Sequence, residues 1–161
     1  MIIAPLGENR ALCYDKFFPF PFRPSSKRYE VVIGVGGNLG EVPRSLQRLF
    51  RALQKAKRVD IISTSPLYYN PAFGYAEQAP FYNATMRLGW SGGYGEFFAY
   101  TSYLERRFGR PRKRAFKNAP RSLDIDILFF DGMKIKTPSL TIPHPCWAER
   151  DFVLIPLMLD S

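Results

Sequence analysis

The chain has 161 residues, 46% of them hydrophobic and 16% aromatic, and it carries 23 Lys and Arg against 14 Asp and Glu, a formal charge of +9. This composition predicts one folded domain with a packed core and excludes an intrinsically disordered chain. No apolar run approaches the ~20 residues that cross a bilayer, and residues 1–12 lack the pattern of a secretory signal, so we expect a cytoplasmic protein with no membrane partner.

Residues 1–28 differ in composition from the rest of the chain. Four phenylalanines and three prolines are interleaved between residues 17 and 24. Proline at this density disfavours both a helix and a strand, whereas four phenyl rings are too apolar for a solvated tail. We therefore expect an N-terminal arm of extended chain, residues 1–28, that lies along a domain formed by residues 29–161.

The predicted helices and strands begin after this arm. Runs rich in β-branched or alternating residues predict strands at Tyr29–Ile33, at Asp60–Tyr69 with an interruption at Pro66, at Phe81–Trp90 and at Leu123–Asp131. Apolar residues at helical spacing predict helices that begin near Glu41 and near Glu96. This order is typical of an α+β sandwich of the ferredoxin-like split βαβ type, in which helices pack on a mainly antiparallel sheet.

The excess positive charge is concentrated in one segment. Eight basic and no acidic residues lie between Arg106 and Arg121, whereas the rest of the chain has 15 basic and 14 acidic residues. Gly109, Pro111 and Pro120 within this segment predict a loop. A solvated surface, a nucleic-acid-binding patch and a site for a substrate with several phosphates are all compatible with such a loop.

Two aspartates, Asp124 and Asp126, follow the cationic loop directly. In a strand they lie on one face, about 6 to 7 Å apart, while Ile125 and Ile127 lie on the other face. An ordinary strand with one polar face would also show this pattern, but aspartate is depleted in strands and like charges on one face repel. Carboxylates beside the arginines of the loop suit a substrate that carries phosphates together with Mg²⁺.

Other residues are open to two interpretations at this stage. The glycine-rich stretch Gly34–Gly40 fits neither a dinucleotide fingerprint nor a P-loop, and it predicts a tight turn or, alternatively, a direct phosphate contact. His144, the one histidine, and Asn83 are each compatible with a structural role or with ligand binding. Cys13 and Cys146 match no metal or redox spacing and are expected to be free thiols.

A set of short motifs runs in order between Tyr29 and Leu159. It comprises Gly37-Asn38-Leu39-Gly40, Ser65-Pro66-Leu67-Tyr68, Phe81-x-Asn83-Ala84, Glu105-x-x-x-Gly109-Arg110-x-Arg112, Pro120-Arg121-x-Leu123-Asp124-x-Asp126 and Leu140-Thr141-Ile142-Pro143-His144-Pro145. In these motifs the chain resembles the 6-hydroxymethyl-7,8-dihydropterin pyrophosphokinase family of folate biosynthesis. The resemblance implies an enzyme that transfers the β,γ-pyrophosphoryl group of ATP to the hydroxymethyl oxygen of the reduced pterin and releases AMP, with two Mg²⁺ ions as cofactors.

The resemblance also implies roles for individual residues. Asp124 and Asp126 would hold the Mg²⁺ ions, and Arg110 and Arg121 would be catalytic. The ATP-contacting positions would be Arg110, Arg112, Arg121, Ile127, Leu140, Thr141, His144 and Arg150, and the pterin-contacting positions Asn70, Phe73, Phe81, Asn83 and Phe152. The cationic loop would then be a lid that closes over ATP.

The sequence departs from the family pattern in several places. Asn118 and Ala119 stand where the family commonly has a tryptophan in the lid, and Phe116 is a candidate to replace that ring. The family usually lacks residues 1–28 and usually continues beyond Leu159, so we hypothesise that the N-terminal arm covers apolar surface that a C-terminal segment covers elsewhere.

The predicted partners are small molecules only, ATP and the reduced pterin, and we expect a monomer that binds no nucleic acid. The competing interpretation is an RNA-binding module of the same topology, in which the cationic loop binds phosphates and Phe81 stacks on a base.

Overall fold

The computed structural model describes residues 1–7, 9–71, 79–108 and 122–160. The strands in these residues are β1 (Ile2–Gly7), β2 (Arg10–Tyr14), β3 (Tyr29–Gly37), β4 (Val59–Thr64), β5 (Leu67–Asn70), β6 (Phe81–Trp90), β7 (Asp124–Phe130), β8 (Ile135–Lys136) and β9 (Thr141–Ile142). The helices are α1 (Val42–Lys55), α2 (Tyr94–Arg107) and α3 (Asp151–Leu159), and a 3₁₀ turn at Trp147–Glu149 precedes α3. No helix in the described part of the chain is long and apolar enough to span a membrane.

Seven of these strands form one sheet in the order β1-β2-β5-β6-β3-β7, with β4 also paired to β6. Every pairing in it is antiparallel. The predicted strands correspond to β3, to β4 and β5 together, to β6 and to β7. Their order across the sheet, second, third, first, fourth, is that of the predicted ferredoxin-like α+β sandwich, which is therefore confirmed.

Pro66 divides the second predicted strand into β4 and β5, which pair with opposite ends of the ten-residue β6. The chain stays attached to β6 at the break, because the Ser65 N–H donates to the Thr85 carbonyl at 3.0 Å and the Thr85 N–H donates to Ser65 Oγ at 2.9 Å. As a consequence β5 places Tyr68 and Asn70 beside the beginning of β6.

The main core lies between the sheet and helices α1 and α2. Leu46, Leu49 and Phe50 of α1 and Phe97 and Leu104 of α2 are buried there, against alternate residues of β3. The opposite face of the sheet has a smaller apolar cluster, in which α3 packs over β3 and β7. Helix α3 was not predicted, because its sequence is apolar on all sides and contains Pro156, which gives no helical period to detect.

The expectation that residues 1–28 form only an extended arm was incomplete, because two strands lie within them. Strands β1 and β2 form a hairpin, and β2 extends the sheet by pairing with β5 through residues 11–13. Almost every residue of β1 is exposed on both faces, so its sequence shows no alternation of apolar and polar residues. The hairpin forms because the edge of β5 offers backbone partners that a single-strand pattern does not reveal.

The phenylalanines after this hairpin do pack against the domain, as expected. Phe17 and Phe18 are buried, and the Phe17 ring stacks on Phe50 of α1 with the ring centroids 4.3 Å apart. Phe20 contacts the same ring edge-on at 5.1 Å. The boundary at residue 28 and the relation of this arm to a C-terminal segment remain predictions.

Candidate active site

The two aspartates of β7 lie on one face of the sheet, as predicted. Ile125 and Ile127 between and after them are buried in the core beneath α1 and α2, whereas Asp124 and Asp126 are only half-buried. Their partners on β3 are glycines, Gly36 opposite Asp124 and Gly34 opposite Asp126. Because these two residues have no side chains, β3 presents only backbone beside the carboxylates.

The beginning of β6 lies on the other side of these two glycines from β7. Asn83 pairs with Gly36 on one side and with Tyr68 on the other, so Asp124, Gly36, Asn83 and Tyr68 form one row across four strands. The Asn83 amide Nδ2 donates to Asn70 Oδ1 at 3.1 Å. With two strand spacings between them, the Cα atoms of Asp124 and Asn83 are about 10 Å apart.

Gly36 is required in this row for a steric reason. A Cβ at this position would collide with Oδ1 of Asn83 and lie 2.6 Å from the Tyr82 carbonyl oxygen. The glycine-rich stretch belongs to β3 as far as Gly37, and the predicted turn is confined to the residues after it. Gly40 in that turn has φ +73°, a conformation that favours glycine.

His144 is held against β7 by its backbone, and its ring is held by the turn that follows it. Its N–H donates to the Leu128 carbonyl at 3.0 Å, and its ring Nδ1 accepts from the Cys146 N–H at 3.2 Å. Burial and the Arg150 guanidinium lower the pKa of the imidazole, while the Asp124 carboxylate opposes them. The ring is therefore neutral at pH 7, and because Nδ1 accepts, Nε2 carries the proton and can donate it in a hydrogen bond.

A cavity of about 330 Å³ lies at the outer edge of β7. It brings together five of the residues predicted to contact Mg²⁺ or ATP, namely Asp126, Ile127, Leu140, Thr141 and His144. Phe98 and Thr101 of α2 also line it and were not predicted. Its lining combines apolar side chains with polar groups that include the Asp126 carboxylate and the His144 imidazole, a mixture that suits a ligand with a flat ring and a polar end.

A second cavity, of about 310 Å³, lies between β5 and the beginning of α3. It brings together Asn70, Arg150 and Phe152 of the predicted set, with the Arg150 guanidinium 5.5 Å from the centre of the Phe152 ring. Phe81 pairs with Asn70 across β5 and β6, so the predicted pterin-contacting residues of the described chain are neighbours. Arg10 and Tyr68 line this cavity and were not predicted.

Glu105 of α2 is a further residue to which the sequence analysis gave no role. Its carboxylate is buried and accepts from the Ile125 N–H at 2.9 Å, between the two aspartates. Strand β7 is the edge of the sheet, so this N–H points away from β3 and needs such a partner. The one available signal was the position of Glu105 within a motif, which does not reveal its contact.

Four predicted site residues, Phe73, Arg110, Arg112 and Arg121, lie outside the described residues, as does Phe116. In the described chain, no group of three His, Cys, Asp or Glu side chains is placed to hold a metal. Two carboxylates alone suit Mg²⁺, which binds through one or two carboxylates and completes its shell with water and substrate phosphates. Cys13 and Cys146 are free thiols, as predicted.

Comparisons with known proteins show the family of the chain. Residues 32–159 match the family described as 7,8-dihydro-6-hydroxymethylpterin-pyrophosphokinase. The chain is 45% identical over 156 residues to the 2-amino-4-hydroxy-6-hydroxymethyldihydropteridine pyrophosphokinase of Helicobacter pylori, covering 94% of each chain. It is 38% identical to the enzyme of that name from Campylobacter jejuni, covering 89% of this chain and 90% of the relative, and 34% identical to that of Bacillus subtilis, covering 78% and 74%. On the strength of this site and these matches, the chain belongs to the 7,8-dihydro-6-hydroxymethylpterin-pyrophosphokinase family.

Proposed function

We propose that the chain performs the pyrophosphokinase reaction of folate biosynthesis across its two cavities. The hydroxymethyl oxygen of the reduced pterin attacks the β-phosphorus of ATP, the bond from that phosphorus to the α,β-bridging oxygen breaks, and AMP leaves with that oxygen. The hydroxyl proton is released to the surroundings. Such a transfer requires mainly in-line positioning and neutralisation of phosphate charge.

The observation that carries this proposal is the row from Asp124 through Gly36 to Asn83. Asp124 at one end of the row lies two residues before Asp126 of the first cavity, and Asn83 at the other end is hydrogen-bonded to Asn70 of the second. A nucleotide in the first cavity and a flat heterocycle in the second would meet beside Gly36, whose lack of a side chain leaves room for the Asn83 amide.

Asp124 and Asp126 are the proposed ligands of two Mg²⁺ ions. Mg²⁺ bound there would neutralise charge on the ATP phosphates and align them with the attacking oxygen. The Nε2–H of His144 would donate to a phosphate oxygen, and Arg150 would contribute positive charge from the beginning of α3. Ile127, Leu140 and Thr141 would contact the adenosine.

On the pterin side, Asn83 and Asn70 would hydrogen-bond the edge of the heterocycle, and Phe81 and Phe152 would contact its faces. Phe73 is proposed for the same site. By resemblance, Arg110, Arg112 and Arg121 would bind phosphates from the cationic loop, with Arg110 and Arg121 acting on the reacting groups. We also propose a monomer in the cytoplasm that binds no nucleic acid.

The test is AMP formation from MgATP that depends on the reduced pterin. Asp124→Asn keeps the shape of the side chain but removes its charge, and we expect activity to fall by at least about 100-fold, the scale of losing one electrostatic contact at a reacting centre. Asp131→Asn is the matched control, because Asp131 is exposed at the end of the same strand. Its activity should equal that of the wild type.

Full activity of Asp124→Asn would contradict the metal assignment. A protein without turnover that binds RNA would instead support the RNA-binding module, and gel filtration with light scattering would test the monomer.

A further inference from the structure

The cavity beside α3 has one wall that comes from outside the segment matched by the family. Arg10 lies in β2, whereas the family match begins at residue 32. Strand β2 is fixed to β5 by pairing of Leu12 with Tyr68 and of Ala11 with Tyr69. The hairpin therefore places the Arg10 guanidinium at the mouth of the cavity that contains Asn70 and Phe152.

Arg10 also reaches the first residue of α3. Its Nη1 lies 3.3 Å from Oδ2 of Asp151, in an ion pair whose side chains are 48% and 61% exposed. Asp151 stands between Arg150 and Phe152, two residues proposed to bind substrate. An ion pair with this exposure contributes little to stability, so stability alone does not account for an arginine at this point.

The Tyr68 hydroxyl is the second unusual feature of this cavity. The side chain is completely buried and lines the cavity, yet its Oη makes no well-formed hydrogen bond to a described residue. Burial raises the pKa of the phenol and so does the Asp151 charge, whereas the Arg10 guanidinium lowers this pKa through its charge and a hydrogen-bonding contact, which places the hydroxyl beside the ion pair. A buried hydroxyl without a well-formed hydrogen bond costs stability unless a ligand or water completes it.

We propose that Arg10 and Tyr68 form a polar corner that binds a hydrogen-bonding edge of the reduced pterin, so that the N-terminal hairpin contributes to substrate binding. The inference rests on the proposed function, because it assigns this cavity to the pterin. A pterin ring presents both donors and acceptors along its edge, and the corner offers guanidinium donors and a hydroxyl that can donate or accept. A guanidinium could instead bind a phosphate of ATP, and the test distinguishes these two ligands.

The test compares Arg10→Ala, Arg10→Lys and Tyr68→Phe by steady-state AMP formation and by calorimetric titration of the pterin in the presence of a non-hydrolysable ATP analogue. We expect Arg10→Ala and Tyr68→Phe to raise the KM and Kd for the pterin about three- to tenfold, the contribution of one hydrogen bond. The KM for MgATP should not change. Arg10→Lys keeps the charge and should recover part of the pterin affinity.

Two measurements separate binding from a structural role. Tyr68→Phe removes an unsatisfied buried hydroxyl, so its Tm should equal or exceed that of the wild type although its pterin affinity falls. The matched control is Arg58→Ala, since the ion pair of Arg58 with Glu96 has nearly the same exposure, 50% and 61%, at the far end of β6. This variant should bind the pterin as the wild type does.

Unchanged pterin binding in both Arg10→Ala and Tyr68→Phe would overturn the proposal. An increase in the KM for MgATP alone would assign the corner to phosphate instead, and an Asp151→Asn variant that reproduces the whole effect of Arg10→Ala would reduce Arg10 to an anchor of α3. If the wild type neither turns over nor binds the pterin, the proposed function itself is wrong. If the wild type is active, the variant results above bear only on the role of Arg10 and Tyr68.

Discussion

At the scale of single residues, the site depends on two glycines of β3 that differ in what surrounds them. A methyl group at Gly36 would meet the Tyr82 carbonyl at 2.6 Å and collide with the Asn83 side chain. A methyl group at Gly34 would instead meet the two methyl groups of Leu128 at 3.6 and 3.8 Å, which are ordinary contacts. The neighbouring strands, rather than the glycines themselves, create the difference.

We predict that Gly36→Ala lowers the free energy of unfolding by about 1–3 kcal/mol, because the backbone of β6 must move to make room. The same variant should weaken pterin binding, since Asn83 loses its position over Gly36. Gly34→Ala is the matched control and should change the free energy of unfolding by less than about 0.5 kcal/mol. Urea unfolding measures both, and equal effects at the two positions would show that the steric explanation is incorrect.

At the scale of elements, α3 is attached to the sheet at both ends. Asp151 at its beginning pairs with Arg10, and Asp160 directly after its end is buried and accepts from the hydroxyls of Ser63 and Thr85. Burial raises the pKa of the Asp160 carboxyl, and the Ser63 hydrogen bond and the Arg87 charge offset this only in part. Helix α3 carries Phe152 and follows Arg150, so its attachment positions part of the site.

This raised pKa predicts how stability depends on pH. The folded protein keeps the Asp160 proton to a higher pH than the unfolded chain, in which the pKa of the carboxyl has its ordinary value of 3.8. The contribution of Asp160 to the free energy of unfolding therefore decreases as the pH rises from about 4 through the folded pKa. The Asp160→Asn variant has no ionisable group at this position, so it should not show this decrease in stability. We expect its stability relative to the wild type to increase with pH across that range and then to level off.

Urea unfolding of both proteins between pH 4 and 8 measures this difference. A difference that stays constant across the series would mean that Asp160 ionises equally in the folded and unfolded states. Glu30 of β3 also acts on this carboxyl and raises its pKa, so Glu30→Gln should make the pH dependence weaker.

At the scale of the whole molecule, the N-terminal segment is part of the core and part of the sheet. Phe18 is completely buried and Phe17 nearly so, both against Phe50. Burial of each such side chain stabilises the fold by about 1.5–3 kcal/mol, which is a substantial part of a typical domain stability of about 5–15 kcal/mol.

Deletion of residues 1–24 should therefore lower the Tm and the free energy of unfolding, as expected if the arm covers apolar surface of the domain. The single variant Phe18→Ala should cost about 3–5 kcal/mol, because it leaves a cavity beneath the arm. Phe22→Ala is its control, since Phe22 is 59% exposed and its removal should have little effect. An unchanged Tm in the deletion would show that the arm is dispensable for folding.

Several predictions made from the sequence depended on local patterns, and these were confirmed. Alternation in β7 placed Asp124 and Asp126 on one face, and helical spacing found α1 and α2. The order of these elements predicted the sheet, because short connections and antiparallel pairing leave few alternatives. The motifs around His144 and Asn83 indicated the family without any knowledge of contacts.

The sequence by itself determined the family, the pair of aspartates and the order of the central helices and strands along the chain. Each of these depends on short motifs or on local periodicity. Only the tertiary structure decided that Glu105 supports β7, that Gly36 lies beneath Asn83, and that Arg10 and Tyr68 share a cavity with Phe152. The physical reason is that these contacts join residues distant in sequence, through the packing of α2 on β7 in the case of Glu105 and through strand register in the other cases. Register at a sheet edge is set by backbone pairing, which the side-chain pattern of a short hairpin does not specify.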